Sequence, residues 1–117
     1  GEWAIVYFTD SRCEDNCIEM LNLLSTIRIL LGHSGTRVQI NGLFPSGNSE
    51  QLGYLNDSDA LKSLSTELAA RTEFATITSG IFFLDWRGQV VSYFPEHTDP
   101  ADIKKDIKRL LRASKLD

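Results

Sequence analysis

Residues 3–17 read WAIVYFTDSRCEDNC and place a pair of cysteines shortly after a continuous apolar run. The run itself, residues 3–9, is rich in β-forming side chains and has no helical periodicity, which predicts a buried strand. Ser11 is followed three residues later by Glu14, the spacing of a capping box, so a helix is predicted to begin at about Ser11. Cys13 and Cys17 therefore lie where a buried strand gives way to a helix.

An apolar stripe at helical spacing continues from the cysteines to residue 31. Its members are Ile18, Leu21, Leu24, Ile27 or Arg28, and Leu31. Gly32 and Gly35 end this helix, and one of them is expected just past its last turn. Residues 36–44 predict a second strand, whereas residues 45–57 are polar and predict a long loop. Because long loops often lie near the working face of a domain, Tyr54 is a candidate for lining a site.

The second half of the chain predicts a helix, a hairpin and a final helix. Residues 58–72 carry leucines at helical spacing, and residues 80–85 and 89–94 are apolar strands joined by a turn at residues 85–88. Asp99 and Pro100 predict the cap and first position of a last helix. Its expected buried face consists of Ile103, Ile107, Leu110 and Leu111. The order β-α-β-α-β-β-α predicts one α/β domain over residues 1–117, with a central mixed β-sheet flanked by helices.

Composition limits the classes of function. The 117 residues are 42% hydrophobic and 24% charged, which suffices for one packed domain. The net charge of −4 argues against a nucleic-acid binder and against binding to a strongly anionic membrane surface. No stretch is long and apolar enough to span a bilayer, and Trp3 and Trp86 are interpreted as core or surface aromatics. The cationic cluster, interpreted as a solvated helix face, comprises Lys104, Lys105, Lys108, Arg109 and Arg112.

Two nearby thiols suit a redox pair or a two-thiolate metal clamp, and they are too few for an all-cysteine zinc site. The helix N-terminus and Arg12 favour the thiolate of Cys13, whereas Glu14 and Asp15 oppose it, which predicts a reducing rather than an oxidising pair. Cys13 is predicted to be the exposed nucleophile and Cys17 the resolving thiol. A purely structural bridge or two idle thiols is the alternative, although so short a loop restrains little chain entropy.

Asp10 has two possible roles. It is a candidate for the buried carboxylate that moves a proton to or from the second cysteine, whereas a turn or helix-capping residue is the favoured interpretation. The candidate catalytic set is therefore Cys13, Cys17, Asp10 and Arg12.

Two sets of residues carry a resemblance to known proteins. Phe8 lies five residues before Cys13, as an aromatic residue commonly does in thioredoxins, and residues 81–94, IFFLDWRGQVVSYF, resemble the strand–turn–strand signature of that superfamily. Three residues, Glu14-Asp15-Asn16, separate the cysteines. A Cys-x-x-x-Cys pair after the first strand resembles the Sco/SenC group, so the resemblance implies a thioredoxin-like fold.

The Sco/SenC resemblance also implies a biological setting. Members of that group are membrane-anchored and extracytoplasmic, as in the periplasm, and they mature the copper centre of cytochrome c oxidase. Their two thiolates and one distant histidine bind copper, and the same thiols can reduce disulfides. The resemblance implies a protein thiol or disulfide as substrate and an oxidase subunit as partner. We expect a monomer, taken from a longer membrane-anchored protein, that requires no cofactor.

Two other functions are compatible with the same residues. A Cu(I) chaperone would hold copper with the thiolates of Cys13 and Cys17, together with His97 or a ligand from a partner. A non-catalytic thioredoxin-like module would instead dock on an oxidase subunit.

The chain departs from the Sco/SenC pattern at the third copper ligand. The matching stretch, residues 74–80, contains neither the histidine of that group nor the proline of ordinary thioredoxins. His33 is expected about 30 Å from Cys13, at the far end of the first helix. His97 is not expected to bind metal directly. We therefore expect copper to bind more weakly than at a site with two thiolates and one imidazole.

Overall fold

A computed structural model of the chain describes residues 2–9, 14–43 and 77–113. The predicted loop at residues 45–57, with Tyr54, and the predicted helix at residues 58–72 lie outside these ranges. The described residues form four strands, two α-helices and one short 3₁₀ helix. They include the first three predicted elements, β-α-β, and the last three, β-β-α.

Four strands form one mixed sheet in the order β2-β1-β3-β4. Their bounds are Trp3–Thr9 for β1, Val38–Leu43 for β2, Ser79–Leu84 for β3 and Val90–Phe94 for β4. Strand β1 pairs in parallel with β2 and antiparallel with β3, and β3 pairs antiparallel with β4. The predicted buried first strand and the predicted hairpin are both confirmed.

The strand directions define two opposite edges of the sheet. At the edge that we call the site edge, β1 and β4 end and β3 begins, since Thr9 pairs with Ser79 and Ile81 with Phe94. At the opposite edge, the distal edge, Trp3 of β1 pairs with Val38 at the start of β2. Helices that follow β1 and β4 therefore run from the site edge to the distal edge.

Two helices pack on one face of the sheet. Helix α1 spans Asp15–Leu30, and helix α2 spans Pro100–Ala113. Asp99 caps α2 as predicted, because its Oδ1 accepts a hydrogen bond from the amide of Ala101 at 2.9 Å. Ile103, Ile107 and Leu111 are buried as predicted, whereas Leu110 is only partly buried at the margin of the core.

The predicted capping box at the start of α1 is wrong. The helix begins at Asp15, and Glu14 occupies the cap position itself, with φ −118°, ψ −158° and no side-chain hydrogen bond to the helix. The extended backbone of Glu14 ends the helical geometry there, and the first turn closes with the amide of Ile18 donating to the carbonyl of Glu14 at 2.9 Å. As a result Cys17 is the third residue of α1.

The core has two parts, one on each face of the sheet. On the helical face, residues of β1, β3, α1 and α2 pack together and include Trp3, Phe83 and Cys17. On the other face, Ala4, Val6, Phe82 and Leu84 form a smaller cluster. The alternation along β1 sends odd-numbered side chains to the helices and even-numbered ones to the opposite face. In the stripe of α1, Ile27 is the buried member and Arg28 is exposed.

The end of α1 differs from the prediction in one respect. Gly32, with φ +66°, lies just past the helix, where a left-handed residue was predicted. Residues 36 and 37, predicted to begin the second strand, instead belong to the 3₁₀ helix Gly32–Arg37. Arg28 Nε holds this segment, because it donates to the carbonyls of Gly35 at 3.2 Å and Val38 at 2.7 Å. Strand β2 therefore begins at Val38, two residues later than predicted.

The hairpin turn is organised by Asp85. Its Oδ1 accepts from the amides of Arg87 at 2.9 Å and Gln89 at 3.0 Å, and its Oδ2 pairs with the Arg87 guanidinium at 2.9 Å. Gly88 supplies the positive φ, +81°, that the turn requires. The turn predicted at residues 85–88 is thus confirmed, with buried Asp85 as its organising residue.

Candidate functional site

Cys17 lies in the first turn of α1, near the site edge of the sheet. Its side chain is 3% exposed and packs in the core of the helical face. Its sulfur is in a disulfide. Cys13 is the chain's other cysteine, and it lies outside the described residues together with Asp10 and Arg12. The roles predicted for these residues remain predictions.

The start of α1 combines two opposing electrostatic influences. The amides of the first helical turn have no acceptor within the helix, so they favour a negative charge nearby. Glu14 and Asp15 are exposed carboxylates at the same end and disfavour it. A thiolate formed here is therefore stabilised less than at a helix start without acidic residues.

A carboxylate that the sequence did not single out lies at the same edge. Glu96 Oε1 accepts a hydrogen bond from the Tyr7 hydroxyl at 2.6 Å, and its Oε2 accepts one from the Ser79 hydroxyl at 2.6 Å. These bonds tie the end of β4 to the end of β1 and the start of β3. The Tyr93 hydroxyl donates to the carbonyl of Ser79 at 3.4 Å and extends the cluster.

The protonation states in this cluster follow from its contacts. The hydrogen bonds from Ser79 and Tyr7, together with nearby His97, lower the pKa of Glu96 below its usual value, so it is ionised at neutral pH. Burial, followed by the hydrogen bond to Glu96, raises the pKa of Tyr7. Burial and the charge of Glu96 raise the pKa of Tyr93. Both tyrosines are therefore hydrogen-bond donors at neutral pH.

One signal in the sequence could have indicated this cluster. Tyr7 lies in the middle of an otherwise apolar strand, and a buried tyrosine hydroxyl needs a partner. Nothing in the sequence indicates that the partner is Glu96, 89 residues away. Gly80 is also part of the arrangement, because a Cβ there would collide with the Tyr93 ring.

A cleft lies between residues 96–97 and the turn of α1 that carries Cys17. It has a volume of about 460 Å³, and Asn16 and Met20, on either side of Cys17 in sequence, both line it. Glu19 and Leu23 complete the lining on α1. His97 is exposed and is one of the residues that line this cleft. The fold therefore brings His97 to the site edge, although the sequence suggests it only as a third ligand of the alternative copper chaperone.

Other sequence candidates lie elsewhere. His33 is exposed on the 3₁₀ helix after α1, at the distal edge, as predicted. Trp3 is a core residue, and Trp86 is 44% exposed beside it, with ring centroids 5.9 Å apart. Both tryptophans belong to the distal edge, whereas Cys17 lies near the site edge.

A family match covers nearly the whole chain. Residues 3–114 match the family described as transmembrane-like, thioredoxin-like, C-terminal domain. The chain belongs to this family. No helix among the described residues of this thioredoxin-like domain is long and apolar enough to cross a bilayer. No curated protein matches the chain.

Solved structures share the fold at low sequence identity. Copper-bound yeast Sco1 superimposes with a TM-score of 0.64 and 18% identity, over 96% of this chain and 79% of that chain. Copper-bound ScoI from Arabidopsis thaliana gives a TM-score of 0.66 and 14% identity, over 97% and 85%. Copper-bound Bradyrhizobium japonicum ScoI gives 0.55 and 19%, over 93% and 85%. The predicted thioredoxin-like fold is confirmed.

Proposed function

We propose that this thioredoxin-like domain is a thiol–disulfide oxidoreductase that uses Cys13 and Cys17. The observation that carries the proposal is the disulfide at Cys17, in the first turn of the helix that follows the first strand. Within the chain, Cys13 is the sole cysteine available to pair with it. A bridge between cysteines four residues apart constrains little chain, so stabilisation alone is a weak reason for it.

The proposed exchange begins from the reduced pair. The Cys13 thiolate attacks one sulfur of a substrate disulfide, which forms a mixed disulfide and releases the other substrate sulfur as a thiolate. The Cys17 thiolate then attacks the Cys13 sulfur, closes the intramolecular disulfide and releases the second substrate thiol. Two electrons pass to the substrate, and a dithiol reductant must reopen the bridge. The burial of Cys17 supports its role as the resolving thiol.

A redox titration tests this proposal. We expect the Cys17 disulfide to open and close reversibly, as a two-electron couple, in mixtures of reduced and oxidised dithiothreitol or glutathione. The fraction of reduced protein is read by mass spectrometry after alkylation, while circular dichroism monitors the fold. A bridge that is reduced only when the domain unfolds would identify a structural disulfide and contradict the proposal.

Alkylation rates test the assignment of the two roles. In the reduced domain, Cys13 is expected to react with iodoacetamide at least about ten times faster than Cys17, because a buried thiol is shielded from the reagent. Brief alkylation followed by peptide mass spectrometry measures both rates in one sample. Denatured protein, in which the two rates should converge, is the control. Equal rates in the folded domain, or faster labelling of Cys17, would reverse or remove the assigned roles.

A more specific setting is also proposed. The Cys-x-x-x-Cys spacing and the shared fold with Sco proteins support a Sco-like role, extracytoplasmic and linked to the assembly of cytochrome c oxidase. The family description supports a domain belonging to a membrane-anchored protein. In that setting the substrate is a protein thiol or disulfide, with an oxidase subunit as the proposed partner. If the titration shows an inert disulfide, the non-catalytic interaction module becomes the better proposal.

The described residues do not by themselves provide a complete copper site. Within residues 2–9, 14–43 and 77–113, no three histidine, cysteine, aspartate or glutamate side chains are grouped to hold a metal ion. The sulfur of Cys17 is also engaged in a disulfide, whereas copper requires the thiolate. Reduction of the pair would free two soft ligands for Cu(I), which is the alternative function. No step of the proposed exchange passes through copper.

A further inference from the structure

Charge is divided unevenly between the two ends of this domain. At the site edge the exposed side chains include the carboxylates Glu14, Asp15 and Glu19, beside partly exposed Glu96. Helix α2, which runs away from that edge, carries five cationic residues and two aspartates. Among the described residues, the exposed carboxylates at the start of α1 and the cations along α2 are thus on different elements, a division that the whole-chain net charge of −4 does not show.

Exposed apolar side chains gather at the basic end. Four large apolar side chains are exposed among the described residues, and three of them lie there: Ile29 at 74%, Leu30 at 57% and Trp86 at 44%. Ile29 and Leu30 end helix α1, and Trp86 lies in the hairpin turn. These elements meet at the distal edge, because Trp86 contacts Trp3 and the chain returns from α1 to Val38, the partner of Trp3.

Three arginines lie on the elements that carry these apolar side chains or end at the same edge. Arg28 belongs to the last turn of α1, and the residue after it, Ile29, is the most exposed apolar residue of the set. The Arg87 guanidinium lies 4.9 Å from the centre of the Trp86 ring. Arg112 is exposed in the last turn of α2. That turn lies at the distal edge, because Arg37 donates a 3.5 Å hydrogen bond to the carbonyl of Leu111. We call Ile29, Leu30, Trp86, Arg28, Arg87 and Arg112 the distal pole.

Within the part of the chain that the structure describes, this pole has three arginines and two neighbouring carboxylates. Asp85 is buried and pairs with Arg87, and Glu2 is exposed next to Trp3. Arg28 directs its Nε to two backbone carbonyls rather than to a carboxylate. The pole thus combines arginines with a tryptophan and exposed aliphatic residues. Tryptophan rings and arginine side chains are favoured at the interface of a bilayer that contains anionic lipid.

We propose that the distal pole docks on the surface of a bilayer that contains anionic lipid. The cleft beside Cys17 and a second one, lined by Glu14, Asp15, Asn16 and Ile18, both lie at the start of α1, so they belong to the opposite end. The apolar residues of the pole come from separate elements and protrude, which suits a broad lipid surface. Helix α1 has 16 residues and a length of about 24 Å, so docking at its end turns Cys17 away from the lipid and toward soluble partners.

Vesicle binding by the full 117-residue chain tests this proposal. We expect co-sedimentation with vesicles in which about a third of the lipid is phosphatidylglycerol to exceed that with pure phosphatidylcholine at least about tenfold at low salt. Binding should weaken as added salt shortens the Debye length from about 10 Å to about 3 Å. The fluorescence of Trp86 should shift to shorter wavelength on binding, and Trp86→Phe should remove that shift, because Trp3 is already buried.

Matched variants separate the pole from the rest of the surface. Arg112→Glu and the double change Ile29→Ser with Leu30→Ser are each expected to lower vesicle binding at least about fivefold. Lys105→Glu makes the same charge change on the same helix, about 10 Å nearer the site edge, and should lower it less. Circular dichroism confirms that each variant is folded.

Three results would overturn the proposal. The first is equal binding to neutral and anionic vesicles, and the second is an effect of Lys105→Glu as large as that of Arg112→Glu. The third is self-association without lipid that the double change at residues 29 and 30 abolishes, since a second copy of the chain would then cover the pole. Vesicle binding does not depend on the thiols, so its failure would leave the proposed exchange function intact.

Discussion

Replacing Cys13 with serine is expected to slow the reduction of a substrate disulfide at least about a thousandfold, because a serine hydroxyl does not ionise to an attacking anion at neutral pH. Replacing Cys17 with serine should have a different result. The first attack can still occur, but nothing resolves the mixed disulfide, so a covalent adduct at Cys13 should accumulate. Stopped-flow kinetics with a chromogenic aryl disulfide measures the rate, and intact-mass spectrometry detects the adduct.

A serine substitution away from the pair provides the control for these variants. Thr26→Ser lies on the exposed face of α1 and should exchange at the rate of the unaltered chain. Retention of exchange by the variant that lacks both cysteines would show that the activity belongs to another group. An adduct at Cys17 in the Cys13→Ser variant, formed as fast as that at Cys13 in Cys17→Ser, would contradict the order of attack.

Removing the Glu96 side chain is expected to destabilise the domain strongly. Glu96→Ala eliminates two short, charge-assisted hydrogen bonds and leaves the Tyr7 hydroxyl, on a residue that is 2% exposed, without its acceptor. The expected loss is about 3 kcal/mol in the free energy of unfolding at neutral pH. Glu96→Gln keeps one acceptor oxygen and should cost about 1.5 kcal/mol. Urea denaturation of the oxidised protein, followed by circular dichroism, measures both.

The effect of Glu96 should depend on pH in a defined direction. The pKa of Glu96 is lowered in the folded domain from its ordinary value of 4.5, so at intermediate pH the unfolded chain binds more protons. The stabilisation is then complete above that value and is lost as the pH falls through the lower, folded-state pKa. The difference in the free energy of unfolding between the unaltered chain and Glu96→Gln should therefore become smaller below about pH 4.5.

Glu19 provides the matched control for the loss of Glu96. It is an exposed glutamate that lines the same cleft, and Glu19→Ala should change the free energy of unfolding by less than about 0.5 kcal/mol. A loss at Glu19 equal to that at Glu96 would indicate a general effect of charge. A Glu96→Ala variant as stable as the unaltered chain would show that the hydrogen bonds to Tyr7 and Ser79 contribute nothing.

Local residue types were sufficient to predict the start of α2, the end of α1 and the hairpin turn, because each depends on residues that are close in sequence. Asp99 and Pro100 predicted the start of α2, and Gly32 predicted the end of α1, since a cap depends on residues within one turn. The predicted start of α1, at about Ser11, was wrong by four residues, because the helix begins at Asp15. The Ser-x-x-Glu spacing satisfies a capping box without requiring one, and the backbone at Glu14 is extended instead.

The sequence by itself determined the four described strands, the buried stripes of α1 and α2, and the position of the cysteine pair after the first strand. Apolar periodicity carries that information because each element must bury one face. The tertiary structure alone decided that Glu96 lies between Tyr7 and Ser79, that His97 shares a cleft with the turn of Cys17, and that Ile29, Leu30 and Trp86 protrude at one pole. These contacts join residues far apart in the chain. Their geometry depends on strand order and direction, which local sequence patterns do not specify.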